Sequence, residues 1–520
     1  MGTTASDQRR MTGKWVLVSA TTASAMAFID GSALNVVLPS LQKDLGATAT
    51  DLLWIINAYL LFLAALILPG GTLGDRIGRK KVFMWGISLF VLASLSCGLA
   101  PSATWLIVSR GAQGIGGALM VPGSLSVISA YFQKEERGKA IGTWSAVTTM
   151  VTVIGPALGG FLADLGWWRA IFFLNLPLGL LSLLSLYYKV PESKDEEANK
   201  SIDWTGAALI VVGLGSITFA FISAPEYGWK SSIVLATLLT GITCLVFFVW
   251  VEKRLQYPMV PLKLFRNRTF TGANLITLLL YGALNMALFL LVLNLVQVQE
   301  YSQLQAGLAT LPFGLMLILF SRKMGALAAR YGPKWFLVAG SFLAGISFIL
   351  LGMVDMALGF ERYWTSYLPG VLVLGIGMAV TVAPLTTAVM SSVEDRFVGT
   401  ASGVNNAVSR AAGVLSIAIL GAVAVASFTN EVKESIHNMA LSAAVQVEVL
   451  KETENLGAAT VPKNVGAAQK EVLRKVFDTA FVEAYELVLF ACAALAFGAA
   501  IAAFFIIPSS SHVKDEVELR

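Results

Sequence analysis

Long apolar runs alternate with short polar connections along nearly the whole chain. Fourteen runs are near 20 residues long, the length at which a helix crosses a hydrocarbon core of about 30 Å. They cover 15–38, 54–73, 82–100, 104–126, 139–163, 169–188, 204–224, 232–252, 270–298, 305–322, 334–354, 367–390, 399–427 and 480–507. The pattern therefore predicts an all-α polytopic membrane protein of 14 transmembrane helices, with both termini on one side.

Composition supports that prediction and excludes other classes. The 520 residues are 56% hydrophobic and 13% charged, against about 25% charged in soluble domains. The three cysteines lie in separate apolar runs, and HExxH and a complete GxxxxGK[ST] loop are both missing from the sequence. We expect no metal, no cofactor and no ATP-driven step, so an ion gradient has to supply the energy of any pumping.

The basic residues orient the helices. Twenty Lys and Arg side chains fall in the short loops on the N-terminal side, against four on the other side. Cytoplasmic loops carry this excess. Both termini are predicted to be cytoplasmic. The net charge of +5 is spread over these loops, so we expect no nucleic-acid partner. The expected partners are protons, small molecules and membrane lipids, and the expected state is a monomer.

An internal repeat divides the chain. "GTLGDRIGRKKVFMWG" at 71–86 returns as "GALAARYGPKWFLVAG" at 325–340, an offset that fits six helices plus an inserted pair. Parallel repeats of this kind place a substrate near the midplane between two halves that rock. The predicted divisions are a tail (1–14), a six-helix half (15–188), a linker with two inserted helices (189–253), a second six-helix half (254–507) and a tail (508–520).

One connection is unlike the others. Residues 428–479 form a long polar segment on the outer side, and loops of this length are usually functional or mobile. A helical hairpin over the membrane and a disordered tether are both open interpretations.

A single acid interrupts the first apolar run. Asp30 in "AMAFIDGSALNVVLP" has no ionisable neighbour from Trp15 to Leu41, and a charged Asp at a helix centre costs roughly 2.5–3.5 kcal/mol. We interpret it as a proton-carrying group, with Arg110 in the fourth run as the cation that tunes it. The alternatives are an Asp hydrogen-bonded to Ser32 or Asn35 for structure alone, and an Arg110 that reaches to the outer interface.

Four motifs in order resemble one family. "GTLGDRIGRK" (71–80), "LIVSRGAQGIGGA" (106–118), "IGPALGG" (154–160) and "IDGSALNVVLP" (29–39) are similar to signatures of the major facilitator superfamily, within it the fourteen-helix drug/proton antiporters. The resemblance covers nearly the whole chain. It implies a major facilitator fold arranged as 6+2+6 helices, in a bacterial inner membrane.

The resemblance also implies roles for two sets of residues. The loop residues would form a conformational latch, with topology anchoring as the alternative, and the second repeat has Ala329 in place of its acid. The fifth-helix motif would be a pivot or a seal against proton leak, with tight helix packing as the alternative. The two sets are Gly71, Asp75, Arg76, Gly78 and Arg79 for the latch, and Gly155, Pro156, Gly159 and Gly160 for the antiporter motif.

Polar side chains on an apolar background suggest a substrate cavity, although helix–helix hydrogen bonds explain most of them equally well. The candidates are Ser32, Asn35, Gln113, Tyr281, Asn285, Asn405, Asn406 and Arg410. We expect lipophilic or singly cationic small molecules there. The leading hypothesis is a proton-coupled antiporter that exports drugs or antibiotics by alternating access. A dedicated exporter of one metabolite or lipid is the rival, and a membrane-embedded lipid-modifying enzyme lacks a catalytic cluster in the sequence.

Overall fold

The structure is a computed structural model that describes residues 5–194, 202–356, 358–394, 397–437, 439, 441–462 and 464–508. Of the two predicted tails, residues 1–4 and 509–520 lie outside this range. In the described part the chain is helical throughout, with no strand. Fourteen helical segments are long and apolar enough to span a membrane, which confirms the predicted number.

The described residues form seventeen α-helices, and all of them except α16 belong to these segments. The sixth span is made of α6 and α7, and the tenth of α11 and α12. The helices are α1 (Ala5–Leu45), α2 (Ala49–Ile77), α3 (Arg79–Gly98), α4 (Ala103–Tyr131), α5 (Lys134–Asp164), α6 (Ala170–Phe173), α7 (Asn175–Lys189), α8 (Trp204–Tyr227), α9 (Ser232–Arg254), α10 (Arg268–Leu293), α11 (Gln303–Ala309), α12 (Leu311–Tyr331), α13 (Lys334–Gly352), α14 (Tyr367–Ser391), α15 (Val398–His437), α16 (Ala443–Glu452) and α17 (Ala467–Ile506).

Local sequence signals explain where helices begin and end. The Thr48 hydroxyl accepts the Asp51 N–H at 3.1 Å, and the Asp51 carboxylate accepts the Thr48 N–H at 2.9 Å. This capping box starts α2. The two copies of the internal repeat each place a glycine after a helix, Gly78 with φ +136° and Gly332 with φ +85°. Only glycine adopts such angles easily, so the repeat marks equivalent turns after α2 and α12.

The spans form two bundles and a bridging pair. Helices α1 to α7 form one bundle, and α10 to α15 form the other together with α17, which contacts α10, α13 and α15. Helix α8 pairs with α9 and lies against α2 and α15. Small residues allow the close approach: a Cβ on Gly116 of α4 would lie 2.6 Å from the backbone nitrogen of Phe90 in α3.

The two ends of the interface between the bundles differ. We call the end at which α1 begins the terminal face, and the other end the opposite face. At the terminal face a cavity of about 1620 Å³ separates the bundles. Its walls come from α2, α4 and α5 of one bundle, α14 and α15 of the other, and the segment between α9 and α10. At the opposite face α5 packs against α11, and α1 contacts α10 and α11. The interface between the bundles is therefore open at one face only.

The long polar segment is largely helical where the structure describes it. Helix α15 continues to His437, α16 follows, a 3₁₀ helix covers Thr453–Ala458, and α17 begins at Ala467. The 3₁₀ helix touches α2, α15, α16 and α17. Of the two interpretations of residues 428–479, the structure shows the helical one, lying against both bundles.

Candidate functional site

A buried ion pair lies inside the first bundle. Arg110 of α4 donates from Nη1 to Asp30 Oδ2 of α1 at 2.5 Å, and the side chains are 1% and 0% exposed. Gln113 binds both partners: its Oε1 accepts from Arg110 at 2.6 Å, and its Nε2 donates to Asp30 Oδ1 at 2.9 Å. Both carboxylate oxygens are thus engaged, and Asp30 is walled off from the cavity.

Neighbouring helices hold this pair in place. Arg110 Nε donates to the Ile55 carbonyl at 3.2 Å, and its guanidinium lies 4.4 Å from the centre of the Tyr59 ring. Behind Gln113, the Ser94 hydroxyl donates to the Phe172 carbonyl at 3.0 Å. Burying ions is costly unless their remaining hydrogen-bonding groups are satisfied, and here the partners come from α2, α3 and α6 as well.

The alternatives for Asp30 and Arg110 do not match this geometry. The Ser32 hydroxyl donates to the Phe28 carbonyl one turn earlier at 2.7 Å, and Asn35 has no hydrogen bond to Asp30. Arg110 points into the bundle rather than to the outer interface.

The antiporter motif of α5 packs on the α1 segment that follows Asp30. A Cβ on Gly155 would lie 2.0 Å from the Ser32 hydroxyl oxygen, and one on Gly159 would lie 2.7 Å from the Ala33 carbonyl oxygen. Only hydrogen fits at these two positions. Helix α5 therefore rests directly on the part of α1 that carries the acid.

The same motif closes the opposite face. A Cβ on Gly160 would lie 2.2 Å from the Gln303 carbonyl oxygen in α11, and one on Gly307 would lie 2.3 Å from the Pro156 carbonyl oxygen. Asp164, at the end of α5, accepts the backbone N–H groups of Gln303 at 2.9 Å and of Leu304 at 3.0 Å. One bundle thus caps the first turn of a helix in the other.

Helix α1 completes this seal. The Gln303 side chain hydrogen-bonds the Ser40 hydroxyl. Gln42 accepts from Gln297 Nε2 of the second bundle at 2.8 Å and donates to the Asn455 carbonyl of the 3₁₀ helix at 3.1 Å. Contacts from α1, α5, α11 and residues 453–458 therefore meet at one end of the interface.

The loop motif at the terminal face is held within its own bundle. Arg79 donates to Asp75 at 2.8 Å, and both side chains are partly exposed. Glu192, from the segment after α7, accepts the backbone N–H groups of Lys80 at 3.0 Å and Lys81 at 3.2 Å. A Cβ on Gly78 would meet the Glu192 carboxylate at 2.8 Å. Asp75 and Arg79 line the cavity, and Arg76 is exposed.

Comparison with known proteins agrees with this architecture. A sequence model of the Major Facilitator Superfamily matches residues 20–417. The chain belongs to this superfamily of transporters. It is therefore a transporter and not an enzyme, with the all-helical major facilitator fold.

Several relatives are drug resistance proteins. The chain is 34% identical to the multidrug resistance protein Stp of Mycobacterium tuberculosis, over 82% of this chain and 78% of that one. It is 33% identical to the methylenomycin A resistance protein of Streptomyces coelicolor, over 77% and 84%. It is 29% identical to the tetracenomycin C resistance and export protein of Streptomyces glaucescens, over 92% and 89%. The transporter is thus related to fourteen-helix drug resistance exporters.

The fold is shared with solved transporters of low sequence identity. A bacterial homologue of the human lysosomal transporter Spinster superposes with a TM-score of 0.65 at 17% identity, covering 96% of this chain and 99% of that one. Identity this low bears on the fold alone.

The candidate cavity residues fall into separate places in the transporter. Gln113 belongs to the ion pair. Asn405 donates to Asn274 at 3.2 Å and to Thr277 at 2.7 Å, and so links α15 to α10. Asn285 donates to the Tyr281 carbonyl at 2.7 Å. Asn406 lines the cavity.

Arg410 is different. It lies one turn beyond Asn406 on α15 and makes no hydrogen bond or ion pair with any residue that the structure describes. The sequence offers it as a candidate for the substrate cavity, and among the described residues no acidic side chain forms a salt bridge with it.

Sequence reasoning did not find several residues that carry the geometry. Their importance depends on the partner, which belongs to a distant part of the chain, so no local motif marks them. Those residues are Gln42, Tyr59, Asp164, Glu192 and Gln303.

Tyr301, between α10 and α11, lies beside this seal. Burial raises the pKa of its phenol to about 12, so this phenol keeps its proton to a higher pH than an exposed tyrosine does.

Proposed function

We propose that the transporter is a proton-coupled antiporter that exports lipophilic drugs or antibiotics from the cytoplasm by alternating access. The observation that carries the proposal is the fully buried Asp30–Arg110 pair, whose acid lies on α1, the helix that also helps to seal the opposite face. Export of drug-like compounds follows from the relatives, whose names describe drug resistance and export.

The terminal face is the cytoplasmic one in this proposal. Its loops carry the excess of Lys and Arg, which positive-inside statistics place in the cytoplasm. The structure is then inward-open, with the cavity ready to take a compound from the cytoplasm or inner leaflet. The location is the bacterial plasma membrane, with both termini inside.

The charge state of Asp30 supports an order of events. Protonating Asp30 here would leave Arg110 buried without its anion, a change that costs about 3–5 kcal/mol when one partner of a buried pair is removed. The inward-open conformation is therefore the one that contains the Asp30–Arg110 ion pair. We infer that the inward-open conformation forms after Asp30 releases its proton to the cytoplasm. Proton uptake from outside then occurs in the outward-open conformation.

Helix α1 connects this charge to the seal. Asp30 and Ser40 are ten residues apart on one helix, about 15 Å at 1.5 Å per residue. Between them lie Ser32 and Ala33, which rest on the glycines of α5, and Pro39, which interrupts the hydrogen-bond ladder. A shift of α1 after loss of the ion pair would move the Ser40 and Gln42 contacts. In this role the motif of Gly155, Pro156, Gly159 and Gly160 acts as the pivot and seal.

The loop motif is the counterpart at the terminal face. With the cavity open, Asp75 pairs with Arg79 inside its own bundle. We infer that closing the terminal face brings Asp75 to the second bundle, where a helix N-terminus favours an anion by about 0.3–1 kcal/mol. Gly71, Arg76, Gly78 and Arg79 shape and anchor that loop. The six-helix halves then rock as units, with α8 and α9 bridging them.

A transport assay in liposomes tests the proposal. Purified transporter is reconstituted around a pH-sensitive dye, a proton gradient is imposed, and lipophilic compounds are added to the wild type and to Asp30→Asn. We expect substrate-triggered proton flux in the wild type and none in the variant. Asp30→Asn that pumps normally would remove Asp30 from the proton path, and flux with one compound alone would favour a dedicated exporter.

A further inference from the structure

We propose that Arg410 binds an acidic group of the transported compound, so that the transporter accepts lipophilic anions. The inference rests on the proposed export function and names its substrate class. It replaces the expectation from sequence of lipophilic or singly cationic compounds.

The first step is the direction in which Arg410 points. Gly403, Asn406, Arg410 and Gly413 recur at helical spacing along one face of α15. A Cβ on Gly403 would lie 2.7 Å from the Leu68 side chain, and one on Gly413 would lie 3.3 Å from the Leu60 side chain. Both leucines belong to α2, so this face of α15 looks across the interface between the bundles and not into lipid.

The second step is depth. Gly403 and Asn406 line the cavity, and Arg410 lies one turn farther from the terminal face. Twelve residues separate it from Val398, where α15 begins, a rise of about 18 Å. Arg410 is partly exposed although it sits inside the spanning part of the helix. The cavity lining on α15 reaches Asn406, so the geometry points to the partly exposed Arg410 side chain lying just beyond the inner end of the cavity.

The third step is charge. Arg410 interacts electrostatically with the phenols of Tyr59 and Tyr281 and forms no ion pair with a described residue. Asp30 is not available as its counterion, because both carboxylate oxygens are bound by Arg110 and Gln113. The surroundings of Tyr59 therefore hold two guanidinium groups, those of Arg110 and Arg410, and one carboxylate, that of Asp30. A charge within the membrane is normally paired, and an unpaired one marks a functional site.

The fourth step is the chemistry of the ligand. A planar guanidinium binds carboxylate and other oxyanions with two parallel hydrogen bonds. A lipophilic compound with a carboxylate or sulfonate would balance the excess positive charge, while its apolar part would lie against the walls of the cavity. A cationic compound would add to that excess.

Two fluorescent probes with one skeleton test the assignment. 8-Anilinonaphthalene-1-sulfonate is an anion, and N-phenyl-1-naphthylamine is the same framework without the sulfonate. Binding of each probe to the purified transporter is titrated by fluorescence. For the anion, only the part of the signal that is lost when the neutral probe is added in excess counts as binding. The variants are Arg410→Gln and Arg410→Lys, with Arg254→Gln as the control. Arg254 stacks on Trp250 at the end of α9, outside the cavity lining.

We expect Arg410→Gln to weaken binding of the anion about tenfold or more, since hydrogen bonds to charged groups contribute at least that much. The neutral probe should bind all variants alike, which also shows that they fold, and Arg410→Lys should recover part of the affinity for the anion. Equal loss of both probes, unchanged binding of the anion, or no displaceable anion on the wild type would each overturn the inference. Proton flux triggered by the neutral probe in liposomes reports separately on the proposed antiport.

Discussion

The two faces of the interface between the bundles are built differently. At the opposite face, glycines of α5 and α11 sit against carbonyl oxygens of the other bundle, and Asp164 caps a helix across the interface. At the terminal face, charged side chains such as Asp75 and Arg79 pair within one bundle and line an open cavity. The opposite face is closed by shape and backbone contacts, and the terminal face is open and carries charged side chains. Substitutions at the two faces should therefore fail in different ways.

The largest expected effect comes from adding one methyl group to the seal. In Gly160→Ala the new Cβ would lie 2.2 Å from the Gln303 carbonyl oxygen, and overpacking of this kind costs about 1–3 kcal/mol. The closed opposite face should lose population, and export should fall about tenfold or more. Gly142→Ala in the same helix is the matched control, since nothing lies within 4 Å of its Cβ. Equal export by both variants would contradict the close packing of α5 on α11.

A smaller effect is expected when the capping carboxylate is removed. Asp164→Ala leaves two N–H groups of α11 without an acceptor, and losing a cap costs about 0.5–2 kcal/mol. A cysteine introduced at Val37, which is 0% exposed beneath the seal, should react faster with an impermeant maleimide added from outside. The experiment uses a protein without its native cysteines. Asp51→Ala, which loses a cap inside one bundle, should leave the labelling rate unchanged; a rise in both variants would point to general loosening.

The contact between α1 and the 3₁₀ helix should matter less. Gln42→Ala removes hydrogen bonds to Gln297 and Asn455, and a typical bond contributes about 0.5–1.5 kcal/mol. Hydrogen exchange in residues 453–458 should become faster, with little change elsewhere. Gln446→Ala, whose side chain bonds only within its own segment, serves as the comparison. Unchanged hydrogen exchange in the Gln42 variant would show that the contact with α1 does not stabilise residues 453–458.

The smallest effect on the described conformation is expected at the terminal face. Exposed i,i+4 pairs such as Asp75–Arg79 contribute about 0.3–0.5 kcal/mol. Asp75→Asn should therefore leave thermal stability and substrate affinity nearly unchanged and yet slow turnover, because its proposed partner forms only when this face closes. Glu471→Gln, from another exposed i,i+4 pair, is the control. Normal turnover in the Asp75 variant would contradict the latch role and would leave topology anchoring as the role of the loop motif.

The sequence predicted the number of spans, because each needs about 20 apolar residues regardless of its neighbours. It also singled out Asp30 and Arg110, since a charge in an apolar run is visible without a structure. Their direct pairing required the crossing of α1 and α4. Gln113 was assigned to the cavity from its type alone, and the structure places it between the ion pair and Ser94 instead.

The seal could not be predicted, because each of its contacts joins residues far apart in the chain. Asp164 reads as an ordinary acid at the end of an apolar run, and only the position of α11 makes it a cap. The conformation of residues 428–479 depends in the same way on Gln42 and the surface they cover. Composition left that segment open between a hairpin and a tether.

The central claim is that the charge of Asp30 decides which face is open. Spin labels at Trp167→Cys and Met353→Cys, both exposed and on different bundles at the opposite face, report their separation by pulsed electron resonance in a background free of native cysteines. Asp30→Asn imitates the protonated acid and removes the ion pair. The account predicts that this variant shifts the distances from the short, sealed population of the wild type at neutral pH to a longer one. An unchanged distribution would contradict it.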